Sequence, residues 1–178
     1  MVRLCLLALA LAFLAACSDG EPRVELDVSA GEELVITGPF EAGAAIPSRF
    51  TCDGADESPE LSWDRPDGVR SFSIVMTDPD ADDFVHWVAW GLPPRAAGIA
   101  EGELPAGASE GTNSFGEVGY SGPCPPEGDG PHTYTIAVYA VRTDPTEGLD
   151  QSSTAADVLD AIRPETAATG VLRGTYER

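Results

Sequence analysis

Thr133-Tyr134-Thr135-Ile136-Ala137-Val138-Tyr139-Ala140-Val141 is the longest β-branched and aromatic run in the chain, and it reads as a strand. Shorter runs of the same kind lie on both sides of it. Val24-Glu25-Leu26-Asp27-Val28 alternates apolar and polar residues, as a strand with one wet face does, and Leu34-Val35-Ile36-Thr37 follows Gly31. Ser71 to Thr77 and Val85 to Trp90 read as more buried strands, the second closed by Gly91 and Pro93-Pro94. A last strand is expected around Gly170 to Tyr176. Between these runs lie most of the 19 glycines and 15 prolines, which favour turns and irregular loops over helices.

One helix stands out. Thr154 can cap it, with Asp157 three residues on as a carboxylate variant of the capping box. Ala155, Val158, Leu159 and Ile162 then share one face, and Pro164 stops the helix soon after. Many short strands with one late helix predict a mainly β domain: an antiparallel β-sandwich with one or two peripheral helices.

The first twenty residues belong to something else. Arg3 precedes an apolar run from Leu4 to Leu14, too short to span a bilayer, which needs roughly 20 apolar residues. It fits the apolar core of a secretory signal. Leu14-Ala15-Ala16-Cys17 resembles the lipobox of bacterial lipoproteins, in which the cysteine is diacylated and becomes the new first residue. An ordinary signal peptide with a coincidental cysteine is the alternative. The expected organisation is a signal over 1–16, a lipidated Cys17 and tether over 17–23, and one domain over 24–178. The mature protein is then an envelope protein anchored to a membrane and facing the periplasm or exterior.

Charge narrows the partners. The formal net charge is −20, all ten basic residues are arginine, and loss of Arg3 with the signal makes it −21. A surface so acidic repels phosphate backbones, which argues against nucleic-acid binding. The two histidines and the two cysteines left after Cys5 and Cys17 lack the short spacings of structural zinc sites, so neither a metal nor another cofactor is expected.

Three blocks carry a resemblance. They are Phe50-Thr51-Cys52-Asp53-Gly54 with Ser58-Pro59-Glu60-Leu61-Ser62-Trp63; Asp78-Pro79-Asp80-Ala81 with Val85-His86-Trp87; and Gly119 to Pro126 with Gly130-Pro131-His132-Thr133-Tyr134. In this order and at these separations they resemble the phosphatidylethanolamine-binding family, in its bacterial Raf kinase inhibitor-like branch. One departure stands out: the family usually follows Asp-Pro-Asp-Ala with a proline, and here Asp82 takes that place. The resemblance implies a small pocket for phosphate-like or acetate-like anions, walled by Asp78, His86, Gly122, Pro123, His132 and Tyr134. A charged imidazole can donate from both nitrogens, one to an anion and one to an orienting carboxylate such as Asp78. By default each residue has a plainer role: His86 a satisfied core residue, His132 and Asp78 turn residues. That the chain's only two histidines both fall inside these blocks favours the pocket.

The expected function is therefore non-catalytic binding of a small anionic ligand or phospholipid headgroup. A protein inhibitor of a protease or kinase is the alternative, with its partner unknown. A histidine-dependent hydrolase is a further one, although Gly119-Tyr120-Ser121-Gly122 falls short of the Gly-x-Ser-x-Gly elbow. Cys52 and Cys124, both in Gly/Pro-rich loops of an exported domain, are expected to form a disulfide between the first block and the pocket loop.

Overall fold

The structure, a computed structural model, describes residues 24–178. The signal, Cys17 and the tether to residue 23 lie outside the described residues. The strands in chain order are β1 (Glu32–Glu33), β2 (Ile36–Thr37), β3 (Leu61–Trp63), β4 (Ser71–Asp78), β5 (Phe84–Leu92), β6 (Gly98–Ile99), β7 (Ser109–Glu110), β8 (His132–Val141) and β9 (Thr166–Tyr176). One helix, α1 (Ala155–Ile162), falls between β8 and β9. Six strands form one sheet in the order β1-β9-β8-β4-β5-β7, and β2-β3-β6 form a second. All pairings between strands are antiparallel except β1 with β9.

β4, at the heart of the large sheet, is buried at all eight positions because both sheet faces are covered. Phe72, Ile74 and Met76 of β4 join Tyr134, Ile136 and Val138 of β8 beneath Leu61, Trp63 and Ile99 of the small sheet. On the other face Val75, Ala137 and Tyr139 pack under Ala155, Val158, Leu159 and Ile162 of α1. This double burial explains why the Thr133–Val141 run carries so little polar alternation. At the start of α1 the Thr154 hydroxyl and the Asp157 carboxylate cap each other's backbone amides, 3.4 and 2.8 Å apart, completing a capping box.

Three local expectations change. Val24 to Val28 forms no strand; Val24 and Leu26 alternate because both lean on the α1 layer. Leu34–Thr37 contributes only Ile36–Thr37, since this segment passes from the large sheet at Glu32–Glu33 to the small one. The last strand begins at Thr166 rather than near Gly170, pairing with β8 along its whole length.

Candidate ligand-binding site

Four of the expected residues meet at one end of the large sheet, on the face toward the small sheet. Asp78 ends β4, following Phe72, Ile74 and Met76 along the same face. His132 and Tyr134 open β8 two residues apart, so both point the same way, and their rings stack at 23° with centroids 6.5 Å apart. His86 reaches this face through a bulge. The β4–β5 register runs from Met76↔Trp87 to Thr77↔Val85, which leaves His86 as the extra residue. An extra residue re-aims the side chains beside it. Val85 thereby joins the α1 layer, and the His86 ring sets its edge against Tyr134 at 5.2 Å. Tyr134 thus contacts both imidazoles.

Each imidazole is fixed through Nδ1. His86 Nδ1 lies 2.7 Å from the Ser121 carbonyl, and the Ser121 amide donates back to the His86 carbonyl at 3.0 Å. A carbonyl only accepts, so Nδ1 carries the proton and Nε2 is the nitrogen that changes state. His132 Nδ1 lies 2.7 Å from Asp78 Oδ2, and its Nε2 is 3.5 Å from the exposed Asp129 carboxylate. These surroundings push the two histidines in opposite directions. Burial holds His86 below its ordinary pKa, against the Ser121 bond and the Asp78 charge. The hydrogen bond to Asp78 raises His132. At neutral pH His86 is therefore neutral, with a bare Nε2.

The Tyr134 hydroxyl is sealed from solvent and makes no well-formed hydrogen bond among the described residues, with the Asp78 carboxylate close enough to interact with it. Burial first, and then the charge of Asp78, push its pKa far above the usual phenol value, so it remains a donor. A buried hydroxyl with a poorly aligned partner, beside two histidines, can turn its donor to a ligand.

The Asp-Pro-Asp motif builds the floor. Asp78 Oδ1 accepts the Asp80 amide at 2.9 Å, and Asp80 Oδ2 accepts the Thr133 amide at 2.7 Å, tying the turn to the start of β8. Asp82 and Asp83 follow with φ of 57° and 60°. Proline is locked near φ −65°, so the family's usual residue cannot take the conformation found at Asp82.

Gly122 and Pro123 shape the site from behind. A Cβ on Gly122 would lie 2.2 Å from the Phe50 carbonyl oxygen, so glycine here permits close packing of two loops. Its amide donates to Asp56 Oδ1 at 2.7 Å and is thereby occupied. The Pro123 carbonyl accepts the Cys52 amide at 3.2 Å, and a Cys52–Cys124 disulfide with Cα atoms 5.5 Å apart clamps the same two loops.

Several participants escaped the sequence reading. Ser121, whose carbonyl holds His86, lay inside the third block without a named role. Asn113 lies outside the three blocks, and nothing in the sequence gives it a role. Its Oδ1 accepts the Phe115 and Glu117 amides, and its Nδ2 donates to the Gly119 carbonyl and Ser121 Oγ. Phe84 and Phe115 flank His86 at 5.3 and 5.6 Å. A polar residue in an irregular loop carries no periodic signal that could have singled it out.

Comparison with known proteins agrees with this architecture. Residues 37–177 match the family model described as phosphatidylethanolamine-binding protein. LppC of Mycobacterium tuberculosis, a protein with lipoprotein in its name, is 38% identical over 151 residues, covering 83% of this chain and 74% of its own. A UPF0098 protein of Aquifex aeolicus is also 38% identical over 151 residues, covering 81% of this chain and 88% of its own. Among solved structures, YbcL of E. coli superposes with a TM-score of 0.76 at 29% identity, over 82% of this chain and 99% of that one. CT736 of Chlamydia trachomatis, described as a phosphatidylethanolamine-binding protein homologue, gives 0.75 at 32% identity, over 83% and 99%. With its ordered motifs, sandwich topology and these likenesses taken together, the chain belongs to the phosphatidylethanolamine-binding protein family.

Proposed function

We propose that this protein is an exported, lipid-anchored, non-catalytic binder of a small anion, taken up between His86, His132 and Tyr134. The observation that carries the reading is the convergence of the buried Asp78, His86, His132 and Tyr134 at one sheet end, with both imidazoles held through Nδ1 and the Tyr134 ring against each. On a chain of net charge −20, an anion has to be met by local donors. His86 supplies one on protonation, so the anion enters with a proton. His132 balances the Asp78 carboxylate, which would otherwise repel the ligand.

Two observations favour binding over chemistry. No histidine nitrogen among the described residues is hydrogen-bonded to a serine, threonine or cysteine side chain, the arrangement that activates a nucleophile. The Ser121 hydroxyl faces Glu117 and Asn113 instead. Anchoring is supported by the Leu14-Ala15-Ala16-Cys17 sequence and by the name of LppC.

Isothermal titration with phosphate, phosphoethanolamine and acetate tests the site. Heats of binding should appear for the wild-type protein and vanish for His86→Ala. Equal heats for the two would move the ligand elsewhere, and turnover of chromogenic phosphate or acyl esters would contradict the non-catalytic role.

A further inference from the structure

Phe115 and Val118 are two of the few large apolar side chains left in the open, 48% and 50% exposed. Both belong to the loop that Asn113 organises over His86. Phe115 continues an aromatic cluster from the site, edge-on to Phe84 at 4.8 Å and to His86 at 5.6 Å. The described chain begins at the same place. Val24 lines one cleft together with Val85, Asn113, Ser114, Gly116 and Ala155. The first described residue of the domain and the exposed apolar loop thus share one end of the molecule.

Geometry then restricts what this end can face. Seven Cα–Cα steps separate Cys17 from Val24, which reach at most about 25 Å fully extended. A domain of this size is about 40 Å across. A lipid on Cys17 therefore keeps the Val24 end nearest the membrane. Attachment also makes any contact with the bilayer intramolecular, at an effective concentration of about millimolar, so even a weak apolar contact is populated.

We propose that Phe115 and Val118 form a docking surface through which the domain lies against the bilayer holding the Cys17 lipid. The inference rests on the lipidation reading above. Apolar and aromatic side chains enter the headgroup boundary readily. The exposed Asp82 and Glu117 and the half-buried Asp83 near this loop are repelled by an anionic surface, so a zwitterionic bilayer is the preferred partner.

The test uses the full chain, matured in cells and reconstituted in phosphatidylcholine vesicles, with a spin label on Val118→Cys or on Asp67→Cys. Asp67 lies just before β4 begins, a strand's length from Asp78. Docking predicts that the label at 118 loses access to a water-soluble nickel chelate while the label at 67 keeps it. The protection should weaken when phosphatidylglycerol replaces part of the phosphatidylcholine. Equal access at both positions on an acylated chain overturns the docking surface alone. An intact mass without acyl groups on Cys17 overturns the lipidation reading and the docking with it. Protection that persists in detergent and grows with protein concentration marks self-association and also overturns the inference.

Discussion

His132 Nδ1 and Asp78 Oδ2 lie 2.7 Å apart, both side chains almost wholly buried, joining the start of β8 to the end of β4. The pair sets His132 directly against a carboxylate, whereas His86 Nδ1 is held by a backbone carbonyl and feels the Asp78 charge only from a distance. Two imidazoles of one site are thereby set to opposite protonation preferences.

Stability should respond to pH from both sides. His132 is raised, so its contribution is complete below the ordinary histidine value of 6.5 and is lost as pH rises through the higher folded value. His86 is depressed, so the unfolded chain takes up that proton first. The native state then loses stability as pH falls from 6.5 through the lower folded value. Urea midpoints across about pH 5 to 8 should fall at both ends. His86→Gln should remove the acid-side loss and His132→Asn the alkaline-side loss; unchanged profiles in both variants would contradict the assignment.

Asp78→Ala should cost about 1–3 kcal/mol, because it removes the buried hydrogen-bond partner of His132 Nδ1. It also removes the acceptor for the Asp80 amide. Denaturant unfolding measures the loss, and a change below about 1 kcal/mol would show that the pair is dispensable.

Gly122→Ala should destabilise by about 1–3 kcal/mol, since the new methyl would meet the Phe50 carbonyl oxygen at 2.2 Å. Relief requires movement of the 121–124 loop, which carries the Ser121 carbonyl away from His86. Anion affinity should therefore fall with stability. Retained affinity in a destabilised variant would show that the loop does not position His86.

The double change Cys52→Ser, Cys124→Ser should cost about 4 kcal/mol on the chain-entropy account of a bridge spanning 72 residues. Free-thiol titration of the denatured, unreduced wild-type protein should find neither cysteine reactive. Two titrating thiols would remove the clamp from the account.

Asn113→Asp keeps the acceptor for the Phe115 and Glu117 amides but turns a carboxylate oxygen toward the Gly119 carbonyl and the Ser121 hydroxyl. Leaving the buried carbonyl without its donor costs about 1–3 kcal/mol. The aromatic contact of Phe115 with His86 should loosen, visible as increased exposure of Phe115 to oxidative footprinting. Unaltered footprinting would exclude Asn113 as the organiser of this loop.

Much of this arrangement was legible in the residues, for identifiable reasons. Thr133–Val141 announced a strand through its β-branched and aromatic composition, and the structure adds that both its faces meet apolar layers. Thr154 and Asp157 announced the helix start because capping is a local interaction. His132 and Tyr134 are two residues apart on one strand, so their shared face follows from period 2 alone. Other features depend on partners distant in sequence. The bulge that turns His86 onto the Tyr134 face exists only because Met76 and Thr77 pair with Trp87 and Val85. Val24–Val28 carried a strand's alternation but found α1 in place of a neighbouring strand. The role of Gly122 is defined by Phe50, some seventy residues away, and Asn113 acts through backbone groups that no residue pattern reveals.

Imidazole carbon NMR of His86 tests the central claim most directly, with His132→Asn providing the assignment of the two histidines. Without ligand, His86 should titrate below the ordinary 6.5. Saturation with sulfate, whose charge is constant over the range, should raise that value, and affinity should strengthen by up to about tenfold for each unit that pH falls while His86 remains neutral. A His86 titration indifferent to saturating anion, with binding independent of pH, would contradict the account.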